Sequence, residues 1–191
     1  MSEGLRPALF IDRDGTLIAD AHYLADASRV VLLPEAGRAV ALANAANVPV
    51  VIVTNQSGIA RGLITPEQYH ATRARTEQLI AKAGGTVLDT YHCPHLPSDA
   101  CRCRKPGTAL YERAATEHRL DLATSAYIGD RWRDAQPALA TGGVGMLVPG
   151  IESPADDVEM ARSSASPRIH VVESLISAVQ LALQTLGVAL P

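Results

Sequence analysis

The chain predicts an α/β fold: a three-layer, Rossmann-like arrangement with a parallel sheet between two layers of helices. Three observations carry that expectation. Six short runs of β-branched and aliphatic residues are spaced along the chain. Helical stretches lie between them, and strand and helix in alternation imply right-handed crossovers and a sheet covered on both faces. The 191 residues suffice for one domain with a sizeable core, taken here as 1–191, and fall short of two of ordinary size.

The first strand is "ALFI" (8–11), and a helix follows at "PEAGRAVALANAANV" (34–48). The second strand, "PVVIV" (49–53), leads to the best-marked helix, "TPEQYHATRARTEQLIAKAGG" (65–85). There Thr65 is the N-cap, Pro66 suits the first helical position, Gln68 completes a capping box and Gly84 supplies the stop. "TVLDTYH" (86–92) is the third strand and "TALYERAATEHRL" (108–120) the next helix. "SAYIG" (125–129) precedes a helix at "WRDAQPALATG" (132–142), where Pro137 is awkward beyond the first turn. After "VGMLV" (144–148) the Pro/Ser/Asp-rich stretch 149–167 reads as a long surface connection. "IHVV" (169–172) and a terminal helix in "ESLISAVQLALQTLG" (173–187) close the pattern. No segment has the size of a large cap domain, so a fairly open site is expected.

Composition excludes several classes. Apolar residues make up 47% of the chain, but no run approaches the eighteen or so a membrane span requires. The opening "MSEGLRPALF" lacks the long apolar segment and cleavage site of a secretory signal, so a cytoplasmic protein with no membrane partner is expected. A net charge of −3 argues against a nucleic-acid coat and leaves room for a small anionic ligand. A monomer is the expectation.

In open parallel sheets, ligands bind beyond the carboxyl ends of the strands. "DRDGT" follows the first strand, "TNQSGIARG" the second and "GDRWRD" the fourth, so three chemically loaded loops share one rim. A carboxylate is a usable nucleophile for phosphorus once its repulsion by an anionic phosphate is offset. Two unit charges about 4 Å apart repel by roughly 4 kcal/mol at an effective dielectric near 20, and a dianion about doubles that. Magnesium on oxygen ligands and a lysine supply the counter-charge. The parts are present: Asp12 to attack, Asp14 as acid and base, Thr54 and Asn55 as donors, Arg104 and Lys105 as cations, and Asp130 and Asp134 as further carboxylates.

The set closely resembles the haloacid dehalogenase superfamily of phosphatases, whose four-part signature reads here as "DRDGT", the Thr of "TNQSG", the Lys of "CRKPG" and the Asp of "GDRWRD". The resemblance implies that Asp12 forms an aspartyl-phosphate and that Asp14 is the acid/base. It implies magnesium on Asp12, the main-chain carbonyl of Asp14 and Asp130, with Thr54, Gln56 of the same motif and Lys105 around the phosphoryl group.

"CPHLPSDACRC" supplies Cys93, His95, Cys101 and Cys103, two pairs with one residue between ligands, which suits a structural tetrahedral zinc stapling the loop 93–103. His92 is a rival that points away if its segment is extended. Fixing this loop fixes Arg104 and Lys105 over the rim.

Within the superfamily the motifs look like those of the heptose 1,7-bisphosphate phosphatases over roughly residues 8–148, with the short zinc loop closer to the histidinol-phosphate phosphatases. By that resemblance Asp20, His22 and Tyr23 contact a small phosphorylated metabolite, and Arg104 and Arg131 sit near a distal phosphate. Arg61 gives the second motif a cation expected to meet a sugar phosphate. A receiver-like phospho-acceptor module is the competing class, since it too places an acceptor Asp, metal-binding acids, Thr and Lys on a parallel sheet. An acid two residues after the acceptor favours hydrolysis over storage.

Overall fold

The computed structural model describes residues 4–190. The strands are β1 (Leu9–Ile11), β2 (Val50–Asn55), β3 (Val87–Cys93), β4 (Ala126–Gly129), β5 (Val144–Leu147) and β6 (Ile169–Val171). Between and after them lie α1 (Ala36–Ala45), α2 (Pro66–Lys82), α3 (Ala109–His118), the short α4 (Trp132–Ala135) and α5 (Pro137–Thr141), α6 (Ala155–Ser163) and α7 (Leu175–Thr185). The strands form one all-parallel sheet in the order β3-β2-β1-β4-β5-β6. The chain therefore works outward from β1 to one edge, then returns to pair β4 with β1. A crevice opens where the order reverses, at the carboxyl ends of β1 and β4.

Alternation along the strands builds the two cores. Leu9, Ile11, Val50, Ile52, Ala126 and Ile128 face one side and pack with α1 and α7. Ala8, Phe10, Val51, Val53 and Tyr127 face the other and pack with α3. There the Phe10 ring lies 5.1 Å from Tyr111 edge-on and 5.3 Å from Tyr127 stacked. Burial on both faces explains why these strands read as continuous apolar runs.

The expected capping box holds α2: the Gln68 amide N–H donates to Thr65 Oγ1 at 3.2 Å, and Gln68 Oε1 accepts from Thr65 N at 2.9 Å. Gly84 then takes a φ of +87°, which ends the helix as its position suggests.

Two expectations need correction. Pro137 divides the stretch 132–142 into α4 and α5, because proline offers no N–H to continue the ladder. The stretch 149–167 is not an irregular connection throughout, since it contains α6. That helix carries start signals, Pro154 and the first-turn acids Asp156 and Asp157, but buries only Ala161, so its apolar period is too weak to read. It lies beside α4, where the Trp132 N–H donates to Asp157 Oδ2 at 3.0 Å.

No added domain covers the crevice among the described residues; the stretch from β1 to α1 holds a single 3-10 turn at Ala27–Arg29 and that from β3 to α3 another at Pro97–Asp99. No described helix is long and apolar enough to cross a membrane.

Candidate active site

β1 delivers Asp12 to the crevice. The Asp12 N–H still donates to Ile128 O at 2.9 Å, so the residue remains in register with β4 as it leaves the sheet. The chain then turns sharply: Gly15 N donates to Ile18 O, while Leu17 N and Ile18 N both donate to Arg13 O. Gly15 is required twice over, by its φ of +84° and by Asp130, whose Oδ2 would stand 2.6 Å from an added Cβ.

Lys105 reaches into this floor from the loop before α3. Its Nζ donates to Asp12 Oδ1 at 2.5 Å and to Val53 O at 2.7 Å, and lies 2.6 Å from Asp134 Oδ1. Burial alone would push the ammonium below its ordinary value, but Asp12 and Asp134 outweigh it and hold Lys105 charged. Asp12, Asp130 and Asp134 bring one carboxylate oxygen each within 4.8 Å of one another. Burial is the main force pushing Asp12 up to about 7; Lys105 pulls it down, and Asp134, Asp130 and Asp14 push it up again. Burial and then Asp134 push Asp130 up to about 6. Lys105 pairs with Asp12 and Asp134, and Arg131 with Asp130 Oδ2, yet Asp12 and Asp130 stay raised. Asp130 Oδ1, buried and without a hydrogen-bond partner, marks where a further cation fits.

The Asp14 side chain turns away from that cluster and is held by four donor contacts. Arg13 grips it with Nε to Oδ2 at 3.1 Å and Nη2 to Oδ1 at 3.0 Å. Thr54 Oγ1 donates to Oδ2 at 3.2 Å, and Gln56 Nε2 to the same oxygen at 2.7 Å. Sequence reasoning overlooked Arg13, since consecutive side chains on an extended strand diverge and only the turn at Gly15 lets these two meet.

A cavity of about 320 Å³ opens at these groups, lined by Asp12, Asp14, Thr54 and Gln56. Asp20, His22 and Tyr23 line it as well, His22 N donating to Asp20 Oδ1 at 3.1 Å. Arg104, Arg131 and Arg133 also border it, so the opening has three guanidinium groups. Arg131 is tied by Nε to Asp130 Oδ2 at 3.1 Å, with Nη2 4.0 Å from Asp20. Asn55 lines the wall, but its amide clasps the main chain of Lys105: Oδ1 accepts from Lys105 N at 3.0 Å and Nδ2 donates to Lys105 O at 3.3 Å. Its evident work is to hold the lysine loop. Arg61 is exposed and does not line the cavity, which corrects the expectation that it faces the ligand.

Beside this site Cys93 ends β3, in register with Asn55 on β2. Its Sγ lies 3.5 Å from Cys101 Sγ, 3.3 Å from Cys103 Sγ and 3.6 Å from His95 Nδ1, while Cys101 to Cys103 is 3.3 Å and His95 to Cys103 is 3.1 Å. Tetrahedral zinc with bonds of about 2.0–2.3 Å needs separations of about 3.8 Å between sulfurs and about 3.5 Å from sulfur to nitrogen, so the group is a few tenths of an ångström tighter than the ion requires. No disulfide forms among the three thiols. His92 points elsewhere, its ring 4.1 Å from Tyr69.

A family model described as HAD-hydrolase-like matches residues 102–178. A D-glycero-beta-D-manno-heptose-1,7-bisphosphate 7-phosphatase of Bordetella bronchiseptica is 36% identical over 141 residues, 73% of this chain and 79% of that protein. The chain belongs to the haloacid dehalogenase-type phosphatases. A D-glycero-D-manno-heptose-1,7-bisphosphate 7-phosphatase of Thermosynechococcus vestitus is 33% identical to the phosphatase over 188 residues, 92% of this chain and 94% of its own. The crystal structure of the B. bronchiseptica D,D-heptose 1.7-bisphosphate phosphatase complexed with magnesium and phosphate superposes with a TM-score of 0.81 at 31% identity, covering 93% of this chain and 98% of that one.

These relatives set aside the receiver-like module. Magnesium in the relative's structure also accords with the donor set here, since hard carboxylate oxygens around a buried, unpartnered Asp130 Oδ1 suit that ion.

Proposed function

We propose that the phosphatase removes the 7-phosphate of D-glycero-D-manno-heptose 1,7-bisphosphate through a phosphoryl group carried on Asp12. The observation that carries this reading is the pairing of two features on one cavity of about 320 Å³: Asp12, bound to the buried Lys105, at its floor, and Arg104, Arg131 and Arg133 at its border. The floor suits the phosphate that reacts, and the arginines suit a second phosphate on the same sugar. The names of the relatives support the substrate.

In the proposed reaction an Asp12 carboxylate oxygen attacks phosphorus and the bond from phosphorus to the sugar oxygen breaks. Asp14 gives its proton to that oxygen as it leaves. Asp14 then takes a proton from water, the water oxygen attacks phosphorus, and inorganic phosphate departs, which restores the Asp12 carboxylate. Lys105 offsets the negative charge of the phosphoryl group and orients Asp12, while Thr54 and Gln56 turn their donors to the phosphate oxygens. Magnesium bound by Asp12, the Asp14 carbonyl and Asp130 supplies positive charge against the phosphate. Asp134 fixes Lys105 and, by accepting from Arg131 N at 3.0 Å, the start of α4. We assign zinc to Cys93, His95, Cys101 and Cys103, where it orders the loop that carries Arg104 and Lys105 and takes no part in the chemistry. The chain acts as one domain.

Phosphate release is to be measured on heptose 1,7-bisphosphate, heptose 7-phosphate, histidinol phosphate and an aryl phosphate, with and without magnesium. The expected order puts the bisphosphate first in kcat/KM, with its advantage over the monophosphate lost in Arg104→Ala. A preference for histidinol phosphate, or equal use of all four, overturns the substrate assignment.

A further inference from the structure

Asp14, the proposed acid/base group, is gripped by a neighbour that has no step of its own in the proposed reaction. Arg13 is 1% exposed and does not border the cavity, yet its guanidinium forms a two-point fork on Asp14, whose side chain is 24% exposed. The fork is itself braced from α2: Nη1 lies 3.4 Å from Thr72 Oγ1, and the guanidinium carbon stands 5.5 Å from the centre of the Tyr69 ring. Of the donors on Asp14, Thr54 and Gln56 line the cavity, whereas Arg13 does not. A phosphate that claims Thr54 and Gln56 therefore leaves Asp14 held by Arg13 alone.

We propose that Arg13 is a positioning residue that sets the plane and reach of the Asp14 carboxyl group, so that one oxygen faces the leaving group and then the attacking water once the phosphate has drawn Thr54 and Gln56 away. A planar fork fixes both carboxylate oxygens and leaves their outward lone pairs for proton transfer. A lysine at the same place keeps the charge and loses the fork. This inference rests on the reading of Asp14 as acid/base.

The test is Arg13→Lys, with Arg13→Gln as a neutral second variant should the first fold poorly. Thermal unfolding checks that each variant is native, and turnover is compared on an alkyl phosphate and on an aryl phosphate with a strongly acidic phenol. Loss of acid alignment slows departure of the alkoxide, which needs a proton, far more than departure of the phenolate, which does not. A misplacement near 1 Å costs about 100-fold. For the alkyl ester kcat is expected to fall by about that factor with KM changed less than about threefold. The aryl ester is expected to show a rapid burst of phenol followed by slow turnover, because breakdown of the phosphoenzyme still needs Asp14 as base. Equal slowing of both first turnovers, or wild-type kcat on the alkyl ester with an unchanged pH profile, overturns the proposal. Asp14→Asn separates the two levels: wild-type alkyl turnover in that variant removes the acid/base reading itself, whereas its loss beside a fully active Arg13→Lys removes only the role of Arg13.

Discussion

Removing magnesium should make stability depend on pH in a direction set by the buried acids. Asp12 rises from 3.8 to about 7, chiefly through burial, and Asp130 from 3.8 to about 6 for the same reason. A carboxyl group whose value is raised by folding binds its proton more tightly in the folded chain. Its stabilising contribution is complete below about 3.8 and is lost as pH climbs through 6 to 7. At about 1.36 kcal/mol per tenfold change in proton affinity, the loss is on the order of 4 kcal/mol for Asp12 and 3 kcal/mol for Asp130. The two share one site, so their sum is an upper bound. His92 works the other way: burial first, and then His70, lower it to about 4, so it favours the folded state as pH rises from 4 through 6.5. Because His92 titrates in the same way in magnesium and in chelator, comparison of the two at one pH cancels its contribution. The assay is urea unfolding at pH 5 and pH 8, in magnesium and in chelator. At 100 times its dissociation constant at pH 8, magnesium should add about 2.7 kcal/mol, and the same concentration should add well under 1 kcal/mol at pH 5, where protons occupy the site. Equal stabilisation at both pH values, or none at either, would refute the assignment of the cation to these carboxylates.

Lys105→Met leaves Asp12 and Asp134 facing each other without the ammonium that both touch, and breaking a buried pair costs about 3–5 kcal/mol. Turnover should fall by about 10³-fold or more, and magnesium should recover part of the stability measured in chelator; near-normal turnover would exclude the lysine from the reaction. Cys101→Ala should release zinc, measured by elemental analysis, and lower activity and thermal stability together because Lys105 lies on the same loop. Full activity in a zinc-free variant would detach the two sites. In Gly129→Ala the added Cβ would stand 2.3 Å from Asp134 Cβ, so a loss of about 1–3 kcal/mol and a sharp fall in kcat are expected in unfolding and turnover assays.

β1, β2 and β4 were legible because each is a short apolar run with a polar motif at its carboxyl end, and α2 because Thr65, Pro66, Gln68 and Gly84 mark both of its ends. α6 was not legible, since a helix that buries one alanine lacks the apolar stripe that periodicity detects. The clustering of Asp12, Lys105 and Asp130 could be read from their places after strands and in the "CRKPG" loop. The partners that organise the cluster could not. Asn55 reads as a free donor, but the residue it clasps is 50 positions away and is met through main-chain atoms that no side-chain pattern reports. Arg13 and Asp14 adjoin in sequence, where an extended chain would splay them, and the turn at Gly15 brings their charged ends together. Arg61 looked like a ligand cation by proximity to the second motif, yet the turn from Ser57 to Gly62 leaves it in solvent.

The most direct test is to find the phosphoryl group on the protein. Asp14→Asn is mixed with substrate and magnesium, quenched in acid within the first turnover, digested and read by mass spectrometry. One phosphoryl group should appear on the peptide that contains Asp12, and none should appear when Asp12→Asn is added. Release of phosphate at the wild-type rate with Asp12 unmodified throughout would contradict a covalent route through that carboxylate.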